Sequence, residues 1–322
     1  MMNEWIEWIP NISVGQDNDL LNKVDQAFHT IADLYVLHKD VGVDANRTVY
    51  TVVGNRDSLR NGLMALLSLL ERDQSMEHHE GQHPRIGALD VCPYVAMDVR
   101  DESEVVDWSR TLAAEVSKIF KLPIYLYEKS SLITQRNNLA QIRKGEYESL
   151  AQKMKEEEWL PDYGNQFNPI LGATVLGVRN FLIAYNVNIE TSDLSVAKSI
   201  AKKMRSAGPS NRPYALKGLK AIGWYMEEYQ CCQISTNIVD IDQTDIYEVF
   251  EQTKKCGQEW NVEVLSSELI GLLPLRCLEE IEKKWGILIA DQAEHLGLSF
   301  CGIEDLRKRT IEYRLPQASL NS

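Results

Sequence analysis

Apolar residues recur along this chain in two rhythms, one of period two and one of period 3.6, and the rhythms alternate. Residues 4–13 read as a strand entering a turn at Ser13-Val14-Gly15. Over 17–33, Leu20, Leu21, Val24, Ala27, Phe28, Ile31 and Ala32 return at helical spacing, which predicts an amphipathic helix with one face inward. A short strand over 34–40 and a Thr/Val/Tyr-rich strand over 47–54 follow, with a turn around Gly42 between them. A helix is expected over 56–72 and a strand over 88–97. The second of these contains Pro93, which points to a strand end or a bulge. The helix over 102–119 turns Val105, Val106, Leu112, Ala113, Val116 and Ile119 inward, and 123–128 completes the series as a strand.

The pattern changes over 130–170. Periodicity weakens and charge rises, with a Lys/Glu-rich helical stretch at about 147–158. The run 159–169 has no period and is rich in turn formers, so by itself it reads as a connection between two halves. The second half begins near Asn180. It is expected to contain strands at 181–189, 216–227, 231–239 and around 262–265, with helices at 194–205 and 243–259. Residues 206–213 form a Gly/Pro/Ser/Asn loop, 274–313 is mostly helical, and the last few residues are expected to be disordered. Both halves thus run strand–helix–strand–strand–helix–strand, the order of a split βαβ unit, without a residue-level repeat.

Composition narrows the function classes. The net charge of the 322-residue chain is −13, which argues against a nucleic-acid surface. No apolar run approaches the length needed to span a bilayer, and the acidic N-terminus lacks the basic flank of a signal peptide, so a cytoplasmic protein without membrane contact is expected. Cys92, Cys231, Cys232, Cys256, Cys277 and Cys301 show no Cys-x-x-Cys spacing and read as packed thiols.

The candidate chemistry sits in 76–92, Met-Glu-His-His-Glu-Gly-Gln-His-Pro-Arg-Ile-Gly-Ala-Leu-Asp-Val-Cys. His78, His79 and His83 fall here, between Gly81 and Gly87 or just before them. Pro84 disfavours helical backbone at His83 and holds it in an extended or turn conformation. A metal is not expected, because no Cys or carboxylate pattern with ligand spacing accompanies the three histidines. On composition alone, an exposed polar loop without a role stands beside a catalytic loop carrying a proton-transfer group.

The stretch Gly81-Gln82-His83-Pro84-Arg85-Ile86-Gly87-Ala88-Leu89-Asp90-Val91-Cys92-Pro93 resembles the signature of glutamate formiminotransferase, the folate-dependent transferase domain of formiminotransferase-cyclodeaminase. Further matches run in the family's order. They are Ile9-Pro10-Asn11-Ile12-Ser13-Val14-Gly15, Asn46-Arg47-Thr48-Val49-Tyr50-Thr51, Pro123-Ile124-Tyr125-Leu126-Tyr127 and Ile142-Arg143-Lys144-Gly145-Glu146-Tyr147-Glu148. Then come Phe181-Leu182-Ile183-Ala184-Tyr185-Asn186-Val187-Asn188, Ile222-Gly223-Trp224-Tyr225 and Ser235-Thr236-Asn237. The resemblance runs from about Trp8 to Tyr313.

The resemblance implies an α+β protein of two ferredoxin-like α/β sandwich subdomains facing each other across a cleft. The first, 1–180, carries the histidine loop, and the second is 181–322. It implies the stand-alone form, without a cyclodeaminase domain, and a homodimer. The implied reaction moves the formimino group of N-formimino-L-glutamate to N5 of tetrahydrofolate, the co-substrate, in histidine catabolism. His83 matches the catalytic histidine. The folate-binding segment falls on Gly164, Asn165, Gln166, Phe167, Asn168, Pro169, Ile170, Leu171 and Gly172, at the connection between the halves. Asn11, Ser13, Asp40, Asn46, Arg47 and Arg85 are the expected substrate-binding residues, with Asp40 equally suited to capping a turn. Local cations must offset the field of −13 for an anionic folate, and Arg47, Arg85, Arg179, Lys217 and Lys220 are the candidates. Val14 stands where the family's motif carries an acid, which would alter the donor or acceptor if that acid meets substrate. Formyl transfer between glutamate and 5-formyltetrahydrofolate, and folate binding without turnover, are the alternative activities.

Overall fold

The computed structural model describes residues 5–98, 101–133, 136, 139–207 and 213–315, and the chain divides into two units, one ending at Arg179 and the other beginning at Asn180. Residues 316–322, expected to be disordered, and most of the 206–213 loop lie outside the described residues.

The first unit contains β1 (Trp5–Trp8), β2 (Asn11–Ile12), α1 (Asn18–His29), β3 (Leu34–Gly42), β4 (Arg47–Gly54), α2 (Arg56–Asp73) and β5 (Leu89–Asp98). It continues with α3 (Glu102–Phe120), β6 (Ile124–Leu126), α4 (Leu139–Ile142), α5 (Glu146–Lys153) and β7 (Thr174–Val178). The strand expected over 4–13 is two strands. Pro10 has no N–H and breaks the run, yet the pairing continues through it: Pro10 O accepts from Tyr50 N at 3.1 Å and Ile9 N donates to Pro93 O at 3.0 Å. Together β1 and β2 occupy one place in a seven-stranded sheet, between β4 and β5, with β3 outside β4. These pairings are antiparallel. β7 pairs parallel with β5 and β6 lies parallel beyond it.

One face of this sheet packs on α1, α2 and α3 in a core that includes Trp8, Phe28, Leu63, Leu112 and Leu176. On the other face Val91, Tyr125, Tyr127 and Val175 meet Ile142, Leu150 and Met154 from and beside α4 and α5. The Lys/Glu-rich stretch is therefore a covering layer of the first unit. The expectation that Gly164–Gly172 joins the two halves is corrected as well: β7 follows it inside the first unit. β7 escaped the sequence reading because a strand buried on both faces has no alternation, and Thr-Val-Leu-Gly-Val is buried throughout.

The second unit contains β8 (Ile183–Ile189), α6 (Leu194–Met204), β9 (Leu219–Met226), β10 (Cys231–Ile238), α7 (Ile246–Gly257) and β11 (Val264–Ile270). Three further helices follow: α8 (Leu275–Trp285), α9 (Gln292–His295) and α10 (Ile311–Arg314). Its sheet order is β11-β8-β10-β9 with every pair antiparallel. Tyr185, Val187 and Ile189 of β8 enter the helix-packed core. The alternate residues carry a hydrogen-bonded polar row on the other face. Gln233 Nε2 donates to Asn188 Oδ1 at 2.9 Å, and Asn188 Nδ2 donates to Ser266 Oγ at 2.9 Å.

One glycine fixes how the first unit closes. Gly172 has φ +69°, and a Cβ there would lie 2.2 Å from Ile86 O. Gly172→Ala therefore meets both a disfavoured backbone region and a backbone atom. It is expected to lower stability by about 2 kcal/mol or more, read as a lower urea midpoint. A midpoint within error of the parent would show that the strand junction adapts.

Candidate functional site

The site is built around a carboxylate inside the first unit. Asn11 pairs with Val91 and Ile12 with Leu89, which leaves Asp90 as the extra residue of a β-bulge in β5. The bulge turns a charged side chain inward from an apolar strand, and Asp90 is fully buried. Its Oδ1 accepts from Ile86 N at 2.9 Å. Its Oδ2 accepts from Arg47 Nη1 at 2.7 Å and from Arg143 Nη2, while Arg143 Nε lies 3.4 Å from Oδ1. Burial alone would raise this carboxyl, but Arg143 and Arg47 outweigh it and hold Asp90 at about 2. Burial lowers Arg47 to about 10, still charged at neutral pH. Its other arm, Nη2, donates to Asn11 Oδ1 at 2.8 Å.

His83 stands against this cluster. Its Nδ1 is 2.8 Å from Pro84 O, and a carbonyl only accepts, so Nδ1 carries the hydrogen and the basic lone pair of the neutral ring is on Nε2. The ring is half-buried. Burial first, then the positive charges of Arg47 and Arg143, hold it well below 6.5, while Asp90 and Pro84 O act in the opposite sense. These surroundings favour the neutral ring at His83.

The other two histidines have different fates. His78 is exposed, beside a groove of about 670 Å³ that Val14, Asp17, Asn46 and Gln74 also line. His79 is buried: Arg85 Nε donates to its Nδ1 at 3.1 Å, so Nε2 carries the hydrogen and donates to Asn46 O at 3.1 Å. Among the described residues, no group of three His, Cys, Asp or Glu side chains converges as a metal site.

The expected substrate ligands separate into two groups, with Asp40 apart from both. Asn11 and Arg47 belong to the Asp90 cluster. Ser13, Asn46 and Arg85 fasten the loop. Buried Ser13 donates from Oγ to Gly87 O at 2.8 Å, while Asn46 accepts from Gly15 N and donates to Glu80 O. Arg85 spends all five donors within the protein, on His79 Nδ1 and O, on Glu146, and twice on Glu148. It holds the loop to α5 and has no donor left for a ligand in this arrangement. Asp40 lies in β3 with its carboxylate 2.9 Å from His38 Nε2, so it is a strand residue and the turn-capping role does not apply. Val14 is buried in the core, its carbonyl accepting from Thr48, and its side chain is spent on packing.

The Gly164–Gly172 segment runs between two places. Gly164, Asn165 and Gln166 line a cavity of about 340 Å³ with Lys118 and Lys121 at the end of α3. Phe167 meets the Tyr147 ring at 5.7 Å, and Pro169 O accepts from Tyr147 Oη at 2.7 Å. Asn168 folds the turn by accepting from Ile170 N and Leu171 N. Ile170 O accepts from Met76 N, and Leu171 O from Ala88 N, so the far end borders the histidine loop. Sequence reasoning missed Asp90 and Arg143 as a pair. The one signal was a lone acid in an apolar strand, with Arg143 53 residues distant.

Residues 5–179 match the family described as "Formiminotransferase domain, N-terminal subdomain", and 184–316 match "Formiminotransferase domain". Formimidoyltransferase-cyclodeaminase of Dictyostelium discoideum is 40% identical over 329 aligned positions, covering 98% of this chain and 61% of that protein. The rat protein of the same name is 34% identical, with the same coverage. Glutamate formimidoyltransferase of Streptococcus pyogenes serotype M1 is 34% identical, covering 87% of this chain and 92% of that one. The chain thus spans 61% of the length of these two cyclodeaminase relatives. No helix among the described residues is long and apolar enough to cross a membrane.

Asp90→Asn keeps the side-chain shape but leaves the buried Arg47 and the half-buried Arg143 without a counter-charge. It is expected to cost about 3–5 kcal/mol, read from thermal or urea unfolding. The His83 ring adds a pH dependence of definite sign. Below pH 6.5 the unfolded ring binds a proton that the folded ring refuses, so stability falls with falling pH from that point. A site that refuses the proton completely contributes up to about 1.4 kcal/mol per pH unit. His83→Asn should therefore flatten the decline in melting temperature between pH 6.5 and 5, with His79 supplying a residual slope. An unchanged decline would remove His83 as its source.

Proposed function

The chain belongs to the formiminotransferase family, and on that premise we propose that it transfers the formimino group of N-formimino-L-glutamate to N5 of tetrahydrofolate, releasing L-glutamate, in histidine catabolism. N5 attacks the amidine carbon, and the bond from that carbon to the glutamate nitrogen breaks. N5 loses a proton and the departing nitrogen gains one, so a single acid–base group serves both transfers. The observation that carries this assignment is the His83 tautomer. Pro84 O fixes the hydrogen on Nδ1 and aims the role of base at Nε2, beside two guanidiniums.

The folate is proposed to lie along Gly164–Gly172, with Phe167 as an apolar face. Lys118 and Lys121, beside Gly164, support this by supplying positive charge next to an acidic chain. Asp40 remains a proposed contact of the amidine. The split βαβ strand order of both units supports a ferredoxin-like fold for each. The homodimer and the cytoplasmic location belong to the same reading.

The test is turnover. Purified protein with tetrahydrofolate and formiminoglutamate should release L-glutamate. His83→Ala should lower kcat by about two to four orders of magnitude, with folate affinity little changed. A His83→Ala variant of near-normal kcat would take the proton transfer away from this residue.

A further inference from the structure

The Asp90 cluster does not balance its own charge. Two guanidiniums, from β4 and from the residue after α4, share one buried carboxylate from β5. Arg47 feels Asp90 and Arg143 as its charged neighbours, and its second arm is spent on the neutral amide of Asn11. Among the described residues, neither arginine meets a second carboxylate. One positive charge is left over beside His83, in surroundings where Arg47 is 7% exposed and the Arg143 side chain 12%. A buried charge in excess is costly unless something pairs with it. The half-buried edge of the cluster is formed by Arg143 and His83, the residues a ligand would meet.

We propose that this cluster is the seat for the α-carboxylate of the amino-acid donor, with Arg143 as the residue that selects it. The inference rests on the reaction assigned above and adds which substrate group sits where. The nitrogen that must receive a proton is bonded to the donor's Cα, and the α-carboxyl is on that same carbon. If His83 reaches the nitrogen, the α-carboxylate falls within a few bonds of the ring and the γ-carboxylate does not. A guanidinium accepts a carboxylate in a two-point geometry, which suits selection. The whole-protein charge of −13 works against anions at long range, and the local excess answers it.

Occupancy then changes His83. Among the described residues, Arg47, Arg143 and Asp90 are charged groups that act on the ring, with Pro84 O from its own loop. A carboxylate in the seat brings their sum from plus one to zero and lets the ring bind protons more readily. Beside the two arginines His83 is a weak base, and the donor itself raises that base toward neutral pH, where it both takes and returns a proton efficiently. Arg143 is a positioning residue in this coupling and touches the donor, not the migrating carbon.

The experiment follows the His83 ring by NMR in histidine-labelled full-length protein, with L-glutamate as the probe. Saturating L-glutamate should raise the His83 pKa by about one pH unit or more, while L-isoglutamine, whose α-carboxyl is an amide, should not. Arg143→Met should abolish the response and raise the KM for formiminoglutamate about tenfold or more, with the KM for tetrahydrofolate little changed. Arg143→Lys keeps a charge and guards against misfolding of the first variant; it should retain a reduced response. Transfer by the parent protein with no glutamate-induced change at His83 would overturn the seat and leave the reaction standing. So would an equal response to isoglutamine, or one that survives in Arg143→Met. Absence of transfer by the parent protein would overturn the reaction and the seat together.

Discussion

A single buried carboxylate sets the conditions for the rest of the first unit. Asp90 has left water entirely, and its desolvation is repaid only because two guanidiniums and one backbone N–H meet it in good geometry. Each partner comes from a different part of the chain. Arg47 opens β4, Ile86 lies in the histidine loop, and Arg143 follows α4. A contact this sensitive to distance requires all three to be held, and the surrounding hydrogen bonds do that. Lys153 Nζ gathers the carbonyls of Gln141, Ile142 and Lys144, which braces the turn that carries Arg143.

The histidine loop illustrates how little of its chemistry is local. Three histidines within six residues end as an exposed side chain, a buried strut and a group against a charge cluster. Only Pro84 distinguishes His83 in the sequence, and its contribution is as much the carbonyl that fixes the tautomer as the backbone restriction. Arg85 shows the converse. An arginine beside a catalytic candidate reads as a ligand for anions, but two glutamates of α5 already neutralise it. Its work is to fasten α5 over the loop, and that in turn helps bury His79.

Close backbone approach accounts for the remaining rigidity. Gly87 and Gly172 pass each other at a bridge where neither tolerates a side chain, since a Cβ on Gly87 would lie 2.1 Å from Ala173 O. That crossing ties the Gly164–Gly172 segment to the loop without any charged contact. The segment and the histidine loop are thereby linked through main chain.

Periodicity in the sequence was enough to locate most helices and strands of both units, because each buries one face and exposes the other. The run 181–189, for example, is legible as a strand from its β-branched and aromatic content alone. The family motifs located the loop and singled out His83. Tertiary structure alone decided where charge resides. Asp90 becomes a bulge only when β2 and β5 pair out of step, and its partners Arg47 and Arg143 lie 43 and 53 residues away. β7 is a strand because neighbours on both sides and layers on both faces make it one. Local spacing encodes which face of an element is apolar. The proton affinity of His83 depends instead on burial and on charges brought together across the sheet, and no local pattern records those distances.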